Sequence, residues 1–282
     1  NVYPASDSGY DTAIVFVPKG RDFGRAQMWS AMNALKEGGD LYLVGPNKGG
    51  AKSLIKDAVE LFGDCQVMDY KKSHRVAVSR KESAHYDYPS DWGAVPTEKK
   101  IISLETAMGT IEVATQAGVF SWKELDDGTR YLLDDLVLHD DDKTALDIGC
   151  GYGVIGALLA RKLEHVTLVD NNLLAISCAK ATLAHNNIKN ATVIASDVFS
   201  ELDSEPQFDL IISNPPFHRG FDLNTNVPHK VMKQAPNYLT QGGRLVLVAN
   251  EFLKYDTVMA ENFKQSGVRT RNTKFKVLEG IL

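Results

Sequence analysis

Two stretches of this chain follow one plan. Tyr10-Asp-Thr-Ala-Ile-Val-Phe-Val-Pro18 is a β-prone apolar run; a helical stretch over 25–36 follows, and Glu37-Gly-Gly-Asp-Leu-Tyr-Leu-Val44 makes a Gly-Gly turn into a second apolar run. Far along the chain, Phe208-Asp-Leu-Ile-Ile-Ser-Asn-Pro-Pro216, the segment 231–239 and Gln241-Gly-Gly-Arg-Leu-Val-Leu-Val248 repeat that order. The likeness continues, because 52–62 and 255–265 both space their apolar residues as amphipathic helices. Each precedes short β-prone runs: Gln66-Val67 with Arg75-Val-Ala-Val78 in the first copy, Val268 with Phe275-Lys-Val-Leu278 in the second. Strands alternating with helices build a mostly parallel sheet covered by helices, and repetition of the whole order implies two α/β domains of one ancestry.

The copies are unequal. Where the second carries Asn214-Pro-Pro-Phe217, the first has Val17-Pro-Lys-Gly20, and nothing before Asp11 supplies a strand and a glycine-rich loop. The first copy therefore reads as the back half of a Rossmann-like sheet, truncated and degenerate, that kept its scaffold and lost its site. The chain begins with Asn1 rather than Met, consistent with residues having been removed upstream. Between the copies, residues 83–100 are rich in Tyr, Pro, Asp and Lys with little periodicity, which sets the expected domains at residues 1–90 and 91–282.

At 282 residues and 44% hydrophobic content the chain can fill two cores, and disorder is not indicated. No apolar run approaches the roughly 18 to 20 residues of a membrane helix, and the N-terminus lacks the order of a signal peptide, so a cytoplasmic protein without a membrane partner is expected. Cys65, Cys150 and Cys178 are odd in number and lack CxxC spacing, which points to reduced, mostly buried thiols and to no metal site. The net charge of -5 argues against coating nucleic acid by bulk electrostatics. Charge is uneven, however: residues 1–100 hold 14 Lys/Arg against 13 Asp/Glu, and residues 101–282 hold 17 against 23. Lys71, Lys72, Arg75, Arg80 and Lys81 form a local basic cluster, either an edge strand guarded by solvated lysines or a patch that meets phosphate. No pattern specifies a subunit interface, so a monomer or weak homo-oligomer is expected.

Lys143-Thr-Ala-Leu-Asp-Ile-Gly-Cys-Gly-Tyr-Gly153 is a short apolar strand running into glycines, and 154–163 continues as a helix. Gly149, Gly151 and Gly153 let a ligand approach the backbone at a helix N-terminus. Gly151-Tyr-Gly-Val-Ile-Gly156 also matches the dinucleotide fingerprint GxGxxG, so NAD is a candidate. Asp147 argues otherwise, since a carboxylate just ahead of the glycines repels a pyrophosphate and suits a ligand with an ammonium group or ribose hydroxyls, such as S-adenosylmethionine. The next strand, His165-Val-Thr-Leu-Val-Asp170, ends in an acid able to accept from ribose hydroxyls, with Asn171 beside it; this suits NAD equally. Thr192-Val-Ile-Ala195 leads to Ser196-Asp-Val-Phe199, where Asp197 either accepts an adenine amino group or is a plain surface carboxylate, and Val198 or Phe199 flanks the ring. These positions fall at the carboxyl ends of successive strands, where an open α/β sheet binds ligands.

The following strand delivers Asn214-Pro-Pro-Phe217 to the same edge. Proline cannot continue a ladder and biases the residue before it to extended geometry, so this exit is stiff. With DIGCGYG and NPPF in one domain, the second half resembles a class I S-adenosylmethionine-dependent methyltransferase, whose [NDS]PP[YFW] loop belongs to enzymes that methylate an exocyclic or amide nitrogen. The resemblance implies two tandem Rossmann-like methyltransferase domains, the second with a seven-stranded sheet. An aniline-like amine is a poor nucleophile whose protons must be held aside. The side-chain oxygen of Asn214 and the carbonyl of Pro215 can accept those protons, Pro215 and Pro216 fix both acceptors, and Phe217 stacks on the base, with no strong general base needed to begin the transfer. The motif NPPFHRG, Ala117-Gly-Val-Phe-Ser121 with Leu125-Asp-Asp-Gly-Thr129, and Val248-Ala-Asn-Glu-Phe-Leu-Lys-Tyr255 extend the likeness to the ribosomal RNA guanine-N2 methyltransferases over nearly the whole chain. That family implies N2-methylation of one guanine in 16S or, second, 23S RNA, free or in a ribosomal subunit. It implies Gly118 and Phe120 beside the cofactor and His218 and Arg219 near the substrate. Its degenerate first domain aids folding or RNA capture, which would give Lys71, Lys72 and Arg75 an RNA-facing role.

Three rivals stay open on the sequence. An enzyme of the same fold could methylate adenine N6 or a protein glutamine. An NAD-dependent oxidoreductase would use GYGVIG. A catalytically silent RNA-binding or assembly factor could keep both domains, although the intact DIGCGYG and NPPF contrast with what loss looks like in the first copy.

Overall fold

In the first copy the apolar runs become strands and the amphipathic segments between them helices. The computed structural model describes residues 7–93, 98–203, 205, 207–216 and 227–282. Two compact units divide the chain, Asn1–Lys99 with Gln116–Gly118, and Lys100–Thr115 with Val119–Leu282. The first contains β1 (Tyr10–Phe16), α1 (Arg21–Ala34), β2 (Leu35–Pro46), α2 (Ala51–Phe62), β3 (Gln66–Lys71) and β4 (His74–Arg80). Its sheet runs β1-β2-β4-β3, with β1 parallel to β2 and the other pairs antiparallel. Strand alternation decides the core: Val15, Leu41, Leu43 and Ala77 are buried against Met28, Met32, Leu54 and Leu61 of the helices, whereas Ile14 and Phe16 stay exposed. Asp57 is fully buried in α2 and is paired with Arg21 at 2.6 Å and Arg25 at 3.0 Å, which offsets the cost of placing its charge there.

The second unit opens with a hairpin, β5 (Lys100–Thr106) and β6 (Gly109–Thr115), and a helix α3 (Asp127–Asp135). A doubly wound sheet follows: β7 (Thr144–Ile148), α4 (Val154–Ala160), β8 (His165–Asp170), α5 (Leu173–His185), β9 (Ala191–Ala195), β10 (Phe208–Ser213), α6 (Val227–Gln234), β11 (Leu239–Asn250), α7 (Tyr255–Asn262), β12 (Gln265–Arg271) and β13 (Phe275–Ile281). The seven strands lie in the order β12-β13-β11-β10-β7-β8-β9, and only β13 runs antiparallel to its neighbours. This is the seven-stranded sheet expected. The central strands are buried on both faces, as near-continuous apolar runs such as Leu210-Ile-Ile212 require. Helix α6 begins four residues earlier than the apolar spacing suggests, at Val227, and Ala235–Asn237 tightens into a 3-10 turn at Pro236, which has no N–H to continue an α-helix.

The repeat seen in the sequence extends to the register. In the first unit the β1–β2 pairing jumps between Tyr10↔Leu35 and Thr12↔Asp40; in the second, β10–β11 jumps between Phe208↔Leu239 and Leu210↔Arg244. Each jump absorbs a Gly-Gly pair whose first glycine has positive φ, +78° at Gly38 and +80° at Gly242. A Cβ on the second glycine would press on backbone oxygens, 3.0 Å from Asp11 O at Gly39 and 2.9 Å from Thr240 O at Gly243. The four strands of the first unit thus match β10, β11, β13 and β12 in order, direction and bulge.

Candidate active site

Strand β7 has β8 on one side and β10 on the other, so the strand order reverses there and a crevice opens at the carboxyl ends. Ser213 Oγ donates to Ile148 O at 2.8 Å and ties the two exits together. After β7 the chain turns through Gly149, Gly151 and Gly153 at φ +72°, +57° and +83°, conformations that favour glycine. A Cβ at Gly149 or Gly151 would meet nothing within 4 Å, so both stand open to a ligand, whereas one at Gly153 would meet Ala179 at 3.1 Å. Gly156 is a packing glycine: its Cβ would lie 2.5 Å from Leu168 Cγ, so α4 can sit this close to β8 only without a side chain there.

At the end of β7, Asp147 is 1% exposed and lies beneath the glycine loop, where its Oδ2 accepts Gly156 N–H at 2.9 Å in the first turn of α4. Its Oδ1 is buried and has no hydrogen-bond partner among the described residues. Burial, with the Asp170 charge adding to it, pushes the Asp147 carboxyl up to about 7 although the Gly156 bond works the other way. Asp170 accepts Gly151 N–H at 2.9 Å and Asn172 N–H at 2.8 Å, holding the glycine loop against the start of α5, which Asn172 caps through Leu174 N–H. Burial raises its pKa against the lowering effect of these backbone bonds. Four lone-pair sites on a carboxylate leave Asp170 capacity for further donors. Asn171 is exposed between them.

Asp197 is exposed but not free: Lys230 Nζ of α6 donates to its Oδ2 at 2.8 Å and to its carbonyl at 3.2 Å. Val198 is 5% exposed, sunk in the core beside Phe199. It holds φ +61°, a strained region for a β-branched residue, and its carbonyl accepts Ser196 Oγ–H at 3.0 Å. Its side chain packs in the core cluster with Phe199. Phe120 is 66% exposed in the loop before α3. Gly118, at φ +99°, groups with the first unit.

Asn214 leaves β10 and turns its amide onto the start of α3. Its Nδ2 donates to Asp126 Oδ2 at 2.9 Å and to Thr129 Oγ1 at 2.8 Å. Both amide protons are thereby used, and Oδ1 has no hydrogen bond among the described residues. Asp126 is also the N-cap of α3, accepting Thr129 N–H at 2.9 Å. Asp126 and Thr129 belong to the Leu125-Asp-Asp-Gly-Thr129 motif that carries the resemblance, but neither is given a site role by the sequence. Pro215 is buried and Pro216 exposed. Phe217, His218 and Arg219 lie outside the described residues.

The Methyltransferase small domain family matches residues 110–279, and the Methyltransferase small domain N-terminal family matches residues 1–84. The Ribosomal RNA small subunit methyltransferase C of Shewanella halifaxensis is 35% identical over 279 residues, covering 98% of this chain and 79% of that protein. Its Erwinia tasmaniensis counterpart is 33% identical over 282 residues, covering 96% and 75%. The chain belongs to the ribosomal RNA small subunit methyltransferase C family. Among solved structures, the 16S rRNA N2 methyltransferase of T. thermophilus, in complex with AdoMet and guanosine, superposes with a TM-score of 0.86 at 29% identity over 98% of this methyltransferase and 74% of that chain. Family membership removes the oxidoreductase reading of GYGVIG.

In this methyltransferase the basic cluster of the sequence divides. Lys71 and Lys72 are exposed at the β3–β4 turn, where Lys72 and Ser73 take φ +48° and +62°. Arg75 is held there by Asn47 Oδ1 at 2.6 Å and lies over the Tyr70 ring at 5.3 Å. Lys81, by contrast, is buried and donates to Met32 O and Leu35 O at 2.8 and 2.6 Å, so it is a structural cation. His139, Asp141 and Asp142 have the spacing of metal ligands, but Arg244 engages both oxygens of Asp142 at 2.5 and 2.7 Å. No helix among the described residues is long and apolar enough to cross a membrane.

Proposed function

We propose that this protein transfers a methyl group from S-adenosylmethionine to the exocyclic N2 of a guanine in 16S ribosomal RNA, acting with the ribosome in the cytoplasm. The observation that carries this reading is the Asn214 amide, whose two protons are taken by Asp126 and Thr129 so that Oδ1 is left as an acceptor at the carboxyl edge of the sheet, next to the glycine loop. Family membership and the relatives named above support the choice of ribosomal RNA over adenine N6 or a protein amide.

The residues present fit the cofactor. Gly149 and Gly151 leave open backbone where a ligand can approach, Asp170 retains acceptor capacity for ribose hydroxyls, and the unpaired Oδ1 of Asp147 provides negative potential under the loop. S-adenosylmethionine supplies an electrophilic methyl group on a sulfonium. Asn214 Oδ1 and the Pro215 carbonyl accept the two protons of the amine and turn its lone pair toward that methyl, with Phe217 as the stacking platform and His218 and Arg219 beside the nucleotide. Asp197, once its Lys230 partner yields, accepts from the adenine amino group beside the Val198 backbone. Asn171 lies next to the ribose, and the family resemblance assigns Gly118 and Phe120 to the cofactor. Lys71, Lys72 and Arg75 meet RNA phosphates from a first domain at residues 1–90, and catalysis belongs to residues 91–282.

A methyl-transfer assay with labelled cofactor on 16S RNA, 23S RNA and assembled subunits lacking the modification, followed by nucleoside mass spectrometry, tests the proposal. N2-methylguanosine in 16S RNA is expected. Label in N6-methyladenosine or in protein refutes the substrate, and tight cofactor binding without transfer refutes the activity in favour of a silent assembly factor.

A further inference from the structure

We propose that Asp126 and Thr129 are positioning residues for the transfer, holding the Asn214 amide with its oxygen toward the acceptor amine; this rests on the amine-methylating reading above. A carboxylate offers only acceptors, so the Asn214 group 2.9 Å from Asp126 Oδ2 has to be the NH2. The reversed amide would set its oxygen against that carboxylate and present N–H groups to an amine that itself must donate. Thr129 Oγ1, 2.8 Å away, takes the second proton, but a hydroxyl can also donate, so Thr129 steadies the amide and Asp126 decides which way it faces.

The arrangement is itself fixed. Asp126 is locked by accepting Thr129 N–H as the helix cap, and the residue just before Thr129 is Gly128, at which a Cβ would stand 3.0 Å from Asp126 Oδ2 and 3.5 Å from Asn214 Nδ2. In the transfer, the amine lone pair bonds the methyl carbon while the carbon–sulfur pair withdraws to sulfur. The methylated nitrogen then releases one proton to water. The oxygen that Asp126 keeps in place holds that proton's direction before the bond forms.

The test is a cycle of variants read by kcat, KM, cofactor Kd and Tm. Asp126→Ser keeps a good helix cap but is too short to reach Asn214. It is expected to lower kcat about tenfold or more, with cofactor Kd and Tm close to the parent. Asp126→Asn, whose amide oxygen can take both bonds, should return kcat to within a few fold. In an Asn214→Ala background, Asp126→Ser should cost nothing further, because it acts through that amide. An unchanged kcat in Asp126→Ser, or an equal loss in both backgrounds, overturns the proposal. Product identity is read separately: label on adenine N6 would sink the guanine assignment while the cycle still decides the role of Asp126.

Discussion

On the cofactor role proposed above, Asp147 sets cofactor binding against the stability of the ligand-free fold, and the conflict can be measured. Its carboxyl is pushed from 3.8 to about 7 by burial, and its Oδ1 has no partner among the described residues. A folded-state value raised above the unfolded one means that the associated stability is complete below pH 3.8 and is lost as pH rises through about 7. The full difference is about 4 kcal/mol. Asp147→Asn removes the buried charge and can keep the acceptor for Gly156 N–H, while an unpaired buried amide returns a cost of about 1 to 3 kcal/mol. The variant should therefore be more stable than the parent without ligand at about pH 8, by roughly 1 to 3 kcal/mol. Its advantage should shrink by about 2 kcal/mol at about pH 5.5, where the parent is already protonated. Urea unfolding at the two pH values gives both numbers. With S-adenosylmethionine present the order should reverse, since the ligand's cationic groups interact with the charged carboxylate; the parent's Kd should weaken as pH falls below about 7, and the variant's should be weak and flat. A variant destabilised equally at both pH values would refute the reasoning.

Other perturbations separate the roles of the remaining groups. Asn214→Ala should leave cofactor Kd nearly unchanged and lower kcat about a hundredfold or more, the scale of a lost positioning bond at a reacting group; a mild loss contradicts its role. Asp170→Ala removes the acceptor for Gly151 and Asn172 N–H, and calorimetry should show weakened cofactor binding with loss of loop order. Changing Lys71, Lys72 and Arg75 together to Glu should raise the KM for RNA and flatten its salt dependence, whereas unchanged kinetics would make the hairpin a solvated edge. Gly156→Ala drives a methyl to 2.4 Å from Leu168 Cδ2 and should destabilise the protein by about 1 to 3 kcal/mol in thermal unfolding.

Periodicity made most strands and helices legible, because burial on one face or both leaves a mark in the order of apolar residues. The repeat was visible for the same reason, down to the Gly-Gly pairs that the bulges demand. What stayed hidden depends on contacts far apart in the chain. Asn214 and Asp126 are 88 residues apart, and although both lie in motifs that carry the resemblance, nothing in either motif says that they meet. A strand-end acid reads the same whether it stands in the open or, like Asp147, is buried under the glycine loop. Lys81 belongs by sequence to a basic cluster but is spent on backbone carbonyls, and the left-handed turn at Val198 goes against what its β-branched side chain prefers.

The two strand exits that opened the comparison also show how freely this architecture can change its chemistry. In the first unit, β1 ends at Phe16 and α1 begins at Arg21, so residues 17–20 suffice to join them. At the matching place the second copy is longer in sequence, with 29 positions from Ser213 to Gly242 against 22 from Phe16 to Gly38. The same bulged, four-stranded half carries either connection. On the function proposed above, the acceptor motif falls in this longer stretch of sequence, while the bulged half-sheet forms in the first unit without it, so new acceptor specificities can arise by rewriting that stretch while the sheet goes on folding as before.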